Sequence, residues 1–144
     1  MEVKIKKLTP TAILPTRGSK NAAGYDLYAD IEEELLIEPH KTVKLQTGLA
    51  MEIPEGYFGA VYARSGIATN KGLRPPNCVG VIDSDYRGNI GVAIHNDTNV
   101  TQTIFPHERI AQIVIMPYLE VEFIEDELSD TERGVKGFGS TGRR

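Results

Sequence analysis

Three stretches of the sequence contain the residue types that phosphate chemistry requires. The first, GVIDSDYRGNI over residues 80–90, runs from an apolar strand segment into a polar turn and places Asp83 at the strand end. A carboxylate on such a rigid support can orient a water molecule and accept its proton. Tyr86, in the same turn, offers a ring that can stack on a sugar or cover a strand. Taken alone, the stretch is more typical of an ordinary turn whose Asp side chains bond backbone amides.

The second stretch, ARSGIA over residues 63–68, contains groups that bind anions. Arg64 carries a guanidinium fork and Ser65 a hydroxyl, and the backbone amides of Ser65 and Gly66 open a predicted short helix. Because helix starts and arginine forks favour anions, the stretch is a candidate phosphate site. The structural alternative is a capped helix with an arginine that only supports the fold.

The third stretch is the glycine-rich tail GVKGFGSTGRR over residues 134–144, which follows Arg133. It combines cations with the aromatic ring of Phe138 and the hydroxyls of Ser140 and Thr141, and its glycines allow backbone amides to turn toward a phosphate. It lacks the GKS or GKT ending of a P-loop, which excludes an ordinary kinase or ATPase loop. With no apolar periodicity, the tail is predicted to be a mobile arm or a frayed terminus.

Two weaker patterns complete the set of polar candidates. Asp26 in AGYDLYAD alternates with apolar neighbours and so lies on the opposite face of its predicted strand. Arg109 and Gln112 in HERIAQI are three residues apart in another predicted strand, so strict alternation places them on opposite faces. For each of these residues, a salt bridge or a solvated surface is the simpler interpretation.

The elements that must position these residues are short strands. Segments rich in Val, Ile, Tyr and Phe are separated by turns that contain Gly, Pro, Asn or Asp, a pattern typical of a β-sandwich, jelly roll or barrel. Only residues 65–72 have the pattern of a helix, with Ser65 as a predicted N-cap and Gly72 as a predicted stop. The strand segments are VKIKKL, GYDLYAD, TVKLQTGLAMEI, YFGAVYA, NIGVAIHN and RIAQIVIMPYLEVEFI.

Length and composition further limit the class of protein and its cellular compartment. A chain of 144 residues, 40% hydrophobic and 25% charged, predicts one folded domain rather than a disordered chain. There is no apolar run long enough for a membrane span and no signal-peptide pattern, which predicts a soluble protein that is not secreted and has no membrane partner. A single cysteine suits a reducing compartment, so we predict a cytoplasmic protein. The three histidines lack the spacing of a zinc site.

Charge is distributed unevenly near the C-terminus. Residues 122–132 hold six acidic residues and no basic one, whereas residues 133–144 hold four basic residues and no acidic one. The net charge of the chain is −4. An acidic body with a small basic tail argues against duplex nucleic acid as a partner and suits one small polyanion.

Five segments in order, AGYDL, RSGIA, GVIDSDYRG, RIAQI and RGVKGFGSTG, resemble the five motifs of the trimeric deoxyuridine triphosphatase (dUTPase) family. They extend from residue 23 to residue 142, almost the whole chain. The resemblance implies a jelly-roll homotrimer whose active sites contain residues of all three subunits and hydrolyse dUTP to dUMP and diphosphate with magnesium. It also implies a β-domain over residues 1–132 and an active-site lid over residues 133–144.

The resemblance assigns each motif a role. Asp83 would polarise the water that attacks the α-phosphorus, Tyr86 would lie beneath the deoxyribose and refuse a 2′-hydroxyl, and Asp26 would reach the magnesium ion through waters. The resemblance also implies that uracil is bound by Asn77 and by the main chain of Gly80, Val81, Ile82 and Asp83. The implied phosphate contacts are Arg64, Ser65, Gly66 and Gln112. The implied lid contacts are Arg133, Phe138, Gly139, Ser140 and Thr141.

Three residues depart from the family pattern. Ala63 replaces a proline, and His107 and Lys136 replace glycines, so the backbone path at Lys136 is in question because other residues resist a positive φ.

Two other functions remain open. A dCTP deaminase of the same fold would require a glutamate at Ala93, and a nucleotide-sensing regulatory protein would bind dUTP and a protein partner without turnover.

Overall fold

The computed structural model describes residues 1–139, which form eleven strands and one short helix. The predicted all-β class is therefore confirmed. Every predicted strand segment contains a strand, but TVKLQTGLAMEI divides into two at Gly48, whose φ is +68°. The strands are β1 (Lys4–Lys7), β2 (Tyr25–Tyr28), β3 (Leu35–Ile37), β4 (Thr42–Gln46), β5 (Leu49–Glu52), β6 (Tyr57–Tyr62), β7 (Leu73–Arg74), β8 (Val79–Ile82), β9 (Gly91–Asn96), β10 (Gln102–Ile104) and β11 (Arg109–Pro117).

The strands pair only in the antiparallel sense and form small sheets around one core. The largest sheet has the order β2-β11-β6-β8, and a second has the order β4-β9-β7. The pairs β1-β5 and β3-β10 complete the jelly roll. Apolar side chains from both larger sheets meet between them; Leu27, Leu45, Ile94 and Ile110 each retain 1% or less of their exposure. This burial supplies the main stabilisation and makes the strand ends rigid supports.

A β-bulge near the start of β11 overturns one prediction from strict alternation. Arg109 lies opposite Tyr28 and Ala111 opposite Leu27, so the register shifts by one residue between them. Because two steps on β11 match one step on β2, Arg109 and Gln112 lie on the same face instead of opposite faces. Alternation along a sequence cannot reveal an extra residue of this kind.

The helix α1 (Ser65–Lys71) begins one residue earlier than predicted. Its N-cap is Arg64, not Ser65, and no side chain caps its first turn. The predicted stop is confirmed, since Gly72 adopts the left-handed conformation with φ 62°. The helix end is also tied to the sheet by an ion pair of 2.5 Å between Lys71 Nζ and Glu108 Oε1.

The chain leaves the sheet after Pro117, seven residues before the predicted end of that strand segment. Residues 118–139 form neither helix nor strand, and all of them are exposed. Tyr118 is still tied to the fold, since its amide donates to Gly56 O at 3.0 Å, but Phe123 and Leu128 farther along retain more than nine-tenths of their exposure. Within residues 1–139, no helix has the length and apolar character needed to cross a membrane.

Candidate active site

The loop between β7 and β8 and the inner face of β8 form a narrow cleft, which we call the β8 cleft. Its volume is about 150 Å³, well below the roughly 300–1,000 Å³ of sites that enclose a whole drug-sized ligand. It has room for a single ring rather than a complete nucleotide. The lining residues are Val61, Pro75, Asn77, Gly80, Val81, Ile82, Gly91, Val92 and Ala93, none of them acidic.

Glycine and a tight turn make the β8 cleft possible. Gly80 is buried, and a Cβ there would approach Val61 Cβ within 3.3 Å and Asn77 Nδ2 within 3.4 Å. Before it, Cys78 N donates to Pro75 O at 3.1 Å and Cys78 adopts a φ of 63°. The turn thus holds Asn77 beside main-chain groups of β8.

Arg74 anchors the start of this loop. It donates through Nε and NH2 to the two carboxylate oxygens of Asp97, at 2.6 and 3.2 Å, and through NH1 to Pro75 O at 3.4 Å. The hydrogen bond with Asp97 and the charge of that carboxylate raise the pKa of the Arg74 guanidinium above its ordinary value. This two-point contact with Asp97 and the bond to Pro75 O fix the start of the loop.

Asp83 follows β8 directly and is exposed. Its backbone oxygen accepts a hydrogen bond from Tyr86 N at 3.2 Å, which closes the turn. Together with Phe58, Val81 and Tyr118, Asp83 lines an open depression on the outer side of β8. The carboxylate is thus held at a rigid strand end with free access for water.

Tyr86 crosses the same turn. Its hydroxyl donates to Asn89 O at 3.0 Å, and the ring lies over Gly88, where a Cβ would collide with it. The side chain remains 45% exposed, so the ring is fixed at its tip while part of it faces solvent. A flat, fixed and partly exposed ring is suited to packing against a sugar.

A second polar group lies where β2, β6 and β11 adjoin, and we call it the arginine cluster: Asp26, Arg64 and Arg109. Arg64 Nε donates to Asp26 Oδ1 at 2.8 Å, and Arg109 NH1 donates to Asp26 Oδ2 at 3.3 Å. The Asp26 side chain is only 13% exposed. Two cations around one carboxylate leave a surplus positive charge beside the first turn of α1, where Ser65 and Gly66 are exposed.

Gln112 is directed toward this cluster by its neighbours. It lies opposite Asp26 on β2 and Tyr62 on β6, and its Nε2 donates to Ala63 O at 2.9 Å. Its amide crosses Gly24, where any Cβ would collide with Oε1. Gly24 therefore allows Gln112 to lie in the cluster, a role that the residue pattern did not reveal.

The arginine cluster and the Asp83 turn lie at opposite ends of the β6-β8 strand pair. Tyr62 is opposite Val79 and Gly59 is opposite Ile82, so Arg64 continues beyond one end of β6 while Asp83 lies beyond the other end of β8. At about 3.3 Å per residue, their Cα atoms are roughly 20 Å apart. In the described part of the chain, no hydrogen bond or ion pair joins the arginine cluster to the Asp83 turn.

The part of the tail that the structure describes is separate from both groups. Arg133, Phe138 and Gly139 are exposed, and the hydrogen bonds of this segment are local ones, such as Lys136 N to Arg133 O at 3.2 Å. The predicted contacts of Ser140 and Thr141 lie outside the described residues.

The structure accommodates the three departures from the motif pattern. His107 adopts a φ of 60°, the left-handed conformation that suits the expected glycine, and its amide donates to Ala29 O at 2.9 Å. Ala63 supplies the backbone oxygen that holds Gln112. Lys136 does not have a positive φ, whereas Gly134 and Gly139 do.

The donor set bears on whether a metal ion fits. Within residues 1–139, no three His, Cys, Asp or Glu side chains form a group that could hold one. Each Asp26 oxygen already accepts one hydrogen bond and keeps a lone pair for a water. This arrangement fits a magnesium ion that keeps most of its waters and is bound chiefly by substrate phosphates, and it does not fit a metal held by a protein cage.

Comparison with known proteins agrees with this arrangement. The family model described as dUTPase matches residues 11–142. Among curated relatives, the deoxyuridine 5′-triphosphate nucleotidohydrolase of Nautilia profundicola is 48% identical over 99% of this chain and 100% of its own length. The protein of the same name from Desulfitobacterium hafniense is 50% identical over 90% of this chain and 87% of its own.

Solved structures show the same similarity. The dUTPase of Staphylococcus bacteriophage 80alpha with dUpNHpp has a TM-score of 0.85 and 33% identity, with 98% of both chains covered. A mutant dUTPase from phage phi11 of S. aureus, described with a structural Mg(II) ion, has a TM-score of 0.80 and 27% identity over 89% of this chain and 98% of its own. Because the family model matches residues 11–142, nearly the whole length, the chain belongs to the dUTPase family.

Proposed function

We propose that this protein hydrolyses dUTP to dUMP and diphosphate at a site shared between copies of the chain, assembled as a homotrimer. One copy supplies the arginine cluster, and another supplies the β8 cleft with Asp83. The observation that carries this proposal is the separation of Arg64 from Asp83 at opposite ends of the β6-β8 pair. A triphosphate held by one chain's Arg64 is too far from that same chain's Asp83 for reaction.

The Asp83 carboxylate accepts a hydrogen bond from a water molecule and removes its proton as the water oxygen attacks the α-phosphorus. A new P–O bond forms, the bond between the α-phosphorus and the bridging oxygen breaks, and diphosphate leaves. The exposure of Asp83 at a rigid strand end supports this role, because the carboxylate is reachable and fixed. Neither a cysteine nor a histidine nucleophile is needed.

The negative charge that develops on the phosphates requires cations. Arg64 offers terminal N–H groups beyond the one bound to Asp26, and the uncapped first turn of α1 adds amide donors at Ser65 and Gly66. Gln112 lies alongside them. When bound, a magnesium ion would neutralise phosphate charge, with Asp26 holding its waters.

The rest of the nucleotide is recognised by shape. The β8 cleft accepts one ring, and Asn77 with the main chain of Gly80 to Asp83 pairs with the uracil edge in a space too narrow for the methyl group of thymine. The tail from Arg133 onward closes over the bound triphosphate, with Phe138 covering the base. Within residues 133–139, the side chains of Val135 and Phe138 are completely exposed, which supports this role because neither must first leave a packed position.

Mixing two inactive variants should restore turnover if the site is shared. We expect Arg64→Gln and Asp83→Asn each to be nearly inactive alone. After refolding together in equal amounts, about a quarter of the sites should combine an intact Arg64 with an intact Asp83 from different copies. The measurement is diphosphate release from dUTP by the mixture, compared with each variant refolded alone.

Arg64→Gln refolded with a chain that carries both substitutions serves as the control, because none of its sites can be intact at Arg64. If one chain supplied both residues, every site of the first mixture would carry a defect. Turnover that stays at the level of the separate variants would therefore rule out a shared site.

Removing the ring of Tyr86 should weaken the discrimination between dUTP and UTP. The ring, fixed by its hydrogen bond to Asn89 O, leaves no space beneath the sugar for a 2′-hydroxyl. We expect Tyr86→Ala to raise the ratio of UTP to dUTP turnover, whereas Tyr86→Phe, which keeps the ring, should largely preserve it. An unchanged ratio in Tyr86→Ala would mean that Tyr86 only covers the turn.

One observation favours dUTP hydrolysis over the deaminase function. Ala93, the position at which a deaminase would require a glutamate, lines the β8 cleft, and no acidic residue lines it. We therefore expect dUTP, and not dCTP, dTTP or UTP, to yield diphosphate in the presence of magnesium. Ammonia release from dCTP would support the deaminase, and dUTP binding without turnover would support a regulatory protein.

A further inference from the structure

We propose that Arg109 is a positioning residue for the reaction: it acts through Asp26 to fix the Arg64 guanidinium that grips the phosphates. The inference rests on the proposed function and deepens it, because it assigns a role to a residue that has none in the mechanism above. Arg109 itself need not contact the nucleotide.

The three side chains form a chain of contacts in which Asp26 is the middle member. One of its oxygens accepts from Arg64 Nε at 2.8 Å, and the other accepts from Arg109 NH1 at 3.3 Å. A carboxylate held at both oxygens cannot rotate about its terminal bond without losing a partner. Arg109 therefore fixes the direction in which Asp26 presents Oδ1 to Arg64.

Burial makes this orientation matter. The side chain of Asp26 is 13% exposed and that of Arg64 is 25% exposed, whereas that of Arg109 is 51% exposed. The inner pair is shielded from water, so its hydrogen bond is less easily replaced by solvent. Arg109 lies at the outer edge, and its loss would leave one oxygen of a largely buried carboxylate without its cation.

Arg109 is held in place from the backbone outward. The β-bulge brings it onto the face of β11 that carries Gln112 and faces Asp26. The preceding residue, Glu108, accepts from Lys71 Nζ and from Phe105 N, and its backbone oxygen accepts from Ala29 N at 2.9 Å. A side chain on so fixed a segment can orient its partner, unlike an arginine on a mobile loop.

The arrangement also determines what Arg64 can offer a ligand. With Nε committed to Asp26, and NH1 within 3.5 Å of the backbone oxygen of Arg109, the NH2 group and the second N–H of NH1 remain for phosphate oxygens. If Asp26 were free to rotate, Arg64 would sample several orientations, and phosphate would bind to a mixture of them.

A double-mutant cycle on dUTP hydrolysis tests whether Arg109 acts through Arg64. We expect Arg109→Met, which keeps an apolar stem but removes both donors and charge, to lower kcat/KM about tenfold, a coupling common within one ion-pair network. In an Arg64→Gln background the same change should have almost no further effect. Arg109→Lys, which retains the charge, should recover part of the loss. Inhibition by deoxyuridine, which carries no phosphate, should be unchanged.

The matched control is Lys4→Gln, which breaks an exposed ion pair of the same 3.3 Å length between Lys4 on β1 and Glu52 on β5, outside the arginine cluster. It should leave kcat/KM unchanged. Equal fold-losses for Arg109→Met in the wild-type and Arg64→Gln backgrounds would overturn the proposal, because they would mean that Arg109 acts independently of Arg64.

A second measurement does not depend on turnover. In ¹⁵N-arginine-labelled protein, the Nε–Hε resonance of Arg64, assigned by its loss in Arg64→Gln, should shift or broaden in Arg109→Met and stay in place in Lys4→Gln. An unchanged resonance in Arg109→Met would refute the positioning role whatever the enzyme hydrolyses. Absence of dUTP turnover in the wild type would count against the proposed function alone, so the two failures are distinguishable.

Discussion

Replacing Asp83 by asparagine is expected to remove nearly all dUTP turnover while nucleotide binding stays almost intact. The amide keeps the size of the carboxylate and can still hydrogen-bond, but it cannot accept the proton of the attacking water. A positioned general base contributes about 10²–10⁴ in rate, so we expect a loss within that range. Diphosphate release gives the rate, and calorimetric titration with a non-hydrolysable dUTP analogue and magnesium gives the affinity.

A matched control is Asp126→Asn, the same chemical change at an exposed carboxylate on the segment that follows the last strand. It should leave both rate and affinity close to those of the wild type. Should Asp83→Asn retain more than about a third of wild-type turnover, Asp83 would not be the base, because general-base catalysis is far larger than that loss.

Ending the chain after Glu132 is expected to abolish most turnover without affecting folding or assembly. Residues 133–139 are exposed and lie outside every strand and outside the hydrophobic core, so their loss removes no core packing. Closing the lid costs roughly 1–2 kcal/mol per ordered backbone residue, which charge-assisted contacts with the triphosphate must offset. The truncated chain should bind dUMP almost as before, because dUMP lacks the two outer phosphates that Arg133 and the tail would hold.

Limited proteolysis can follow the lid directly. In the full chain, cleavage within residues 133–144 should slow when the non-hydrolysable analogue and magnesium are added, whereas dUMP should protect much less. A chain that lacks only Arg143 and Arg144 is the control for truncation itself and should stay active. Equal cleavage with and without the analogue, or full activity of the chain ending at Glu132, would mean that the tail is a passive terminus.

The strands and the Asp83 turn could be predicted from the sequence because their signals are local. Alternation of apolar residues marks a strand, and a run of Asp, Ser and Gly marks a turn. The same reasoning placed Arg109 and Gln112 on opposite faces, and it failed because the bulge in β11 arises from pairing with β2, a partner more than eighty residues away.

Local sequence patterns likewise could not predict which residues meet in the arginine cluster or how far it lies from the Asp83 turn. Gly24 is a glycine because Gln112 crosses its Cα, and nothing near Gly24 in sequence indicates that contact. Arg64 and Asp83 are only 19 positions apart in sequence, yet strand direction separates them to opposite ends of β6 and β8. Register between strands, which single-residue patterns do not encode, decides both outcomes.

The opposite placement of Arg64 and Asp83 also determines how damage spreads in a mixed population of subunits. Under the proposed sharing, each copy lends its arginine to one site and its aspartate to a different one. A copy that loses both functions therefore disables sites whose other half comes from undamaged neighbours. The activity of a mixture then falls faster than the fraction of intact chains. A defective chain therefore removes more activity than its own share of the protein.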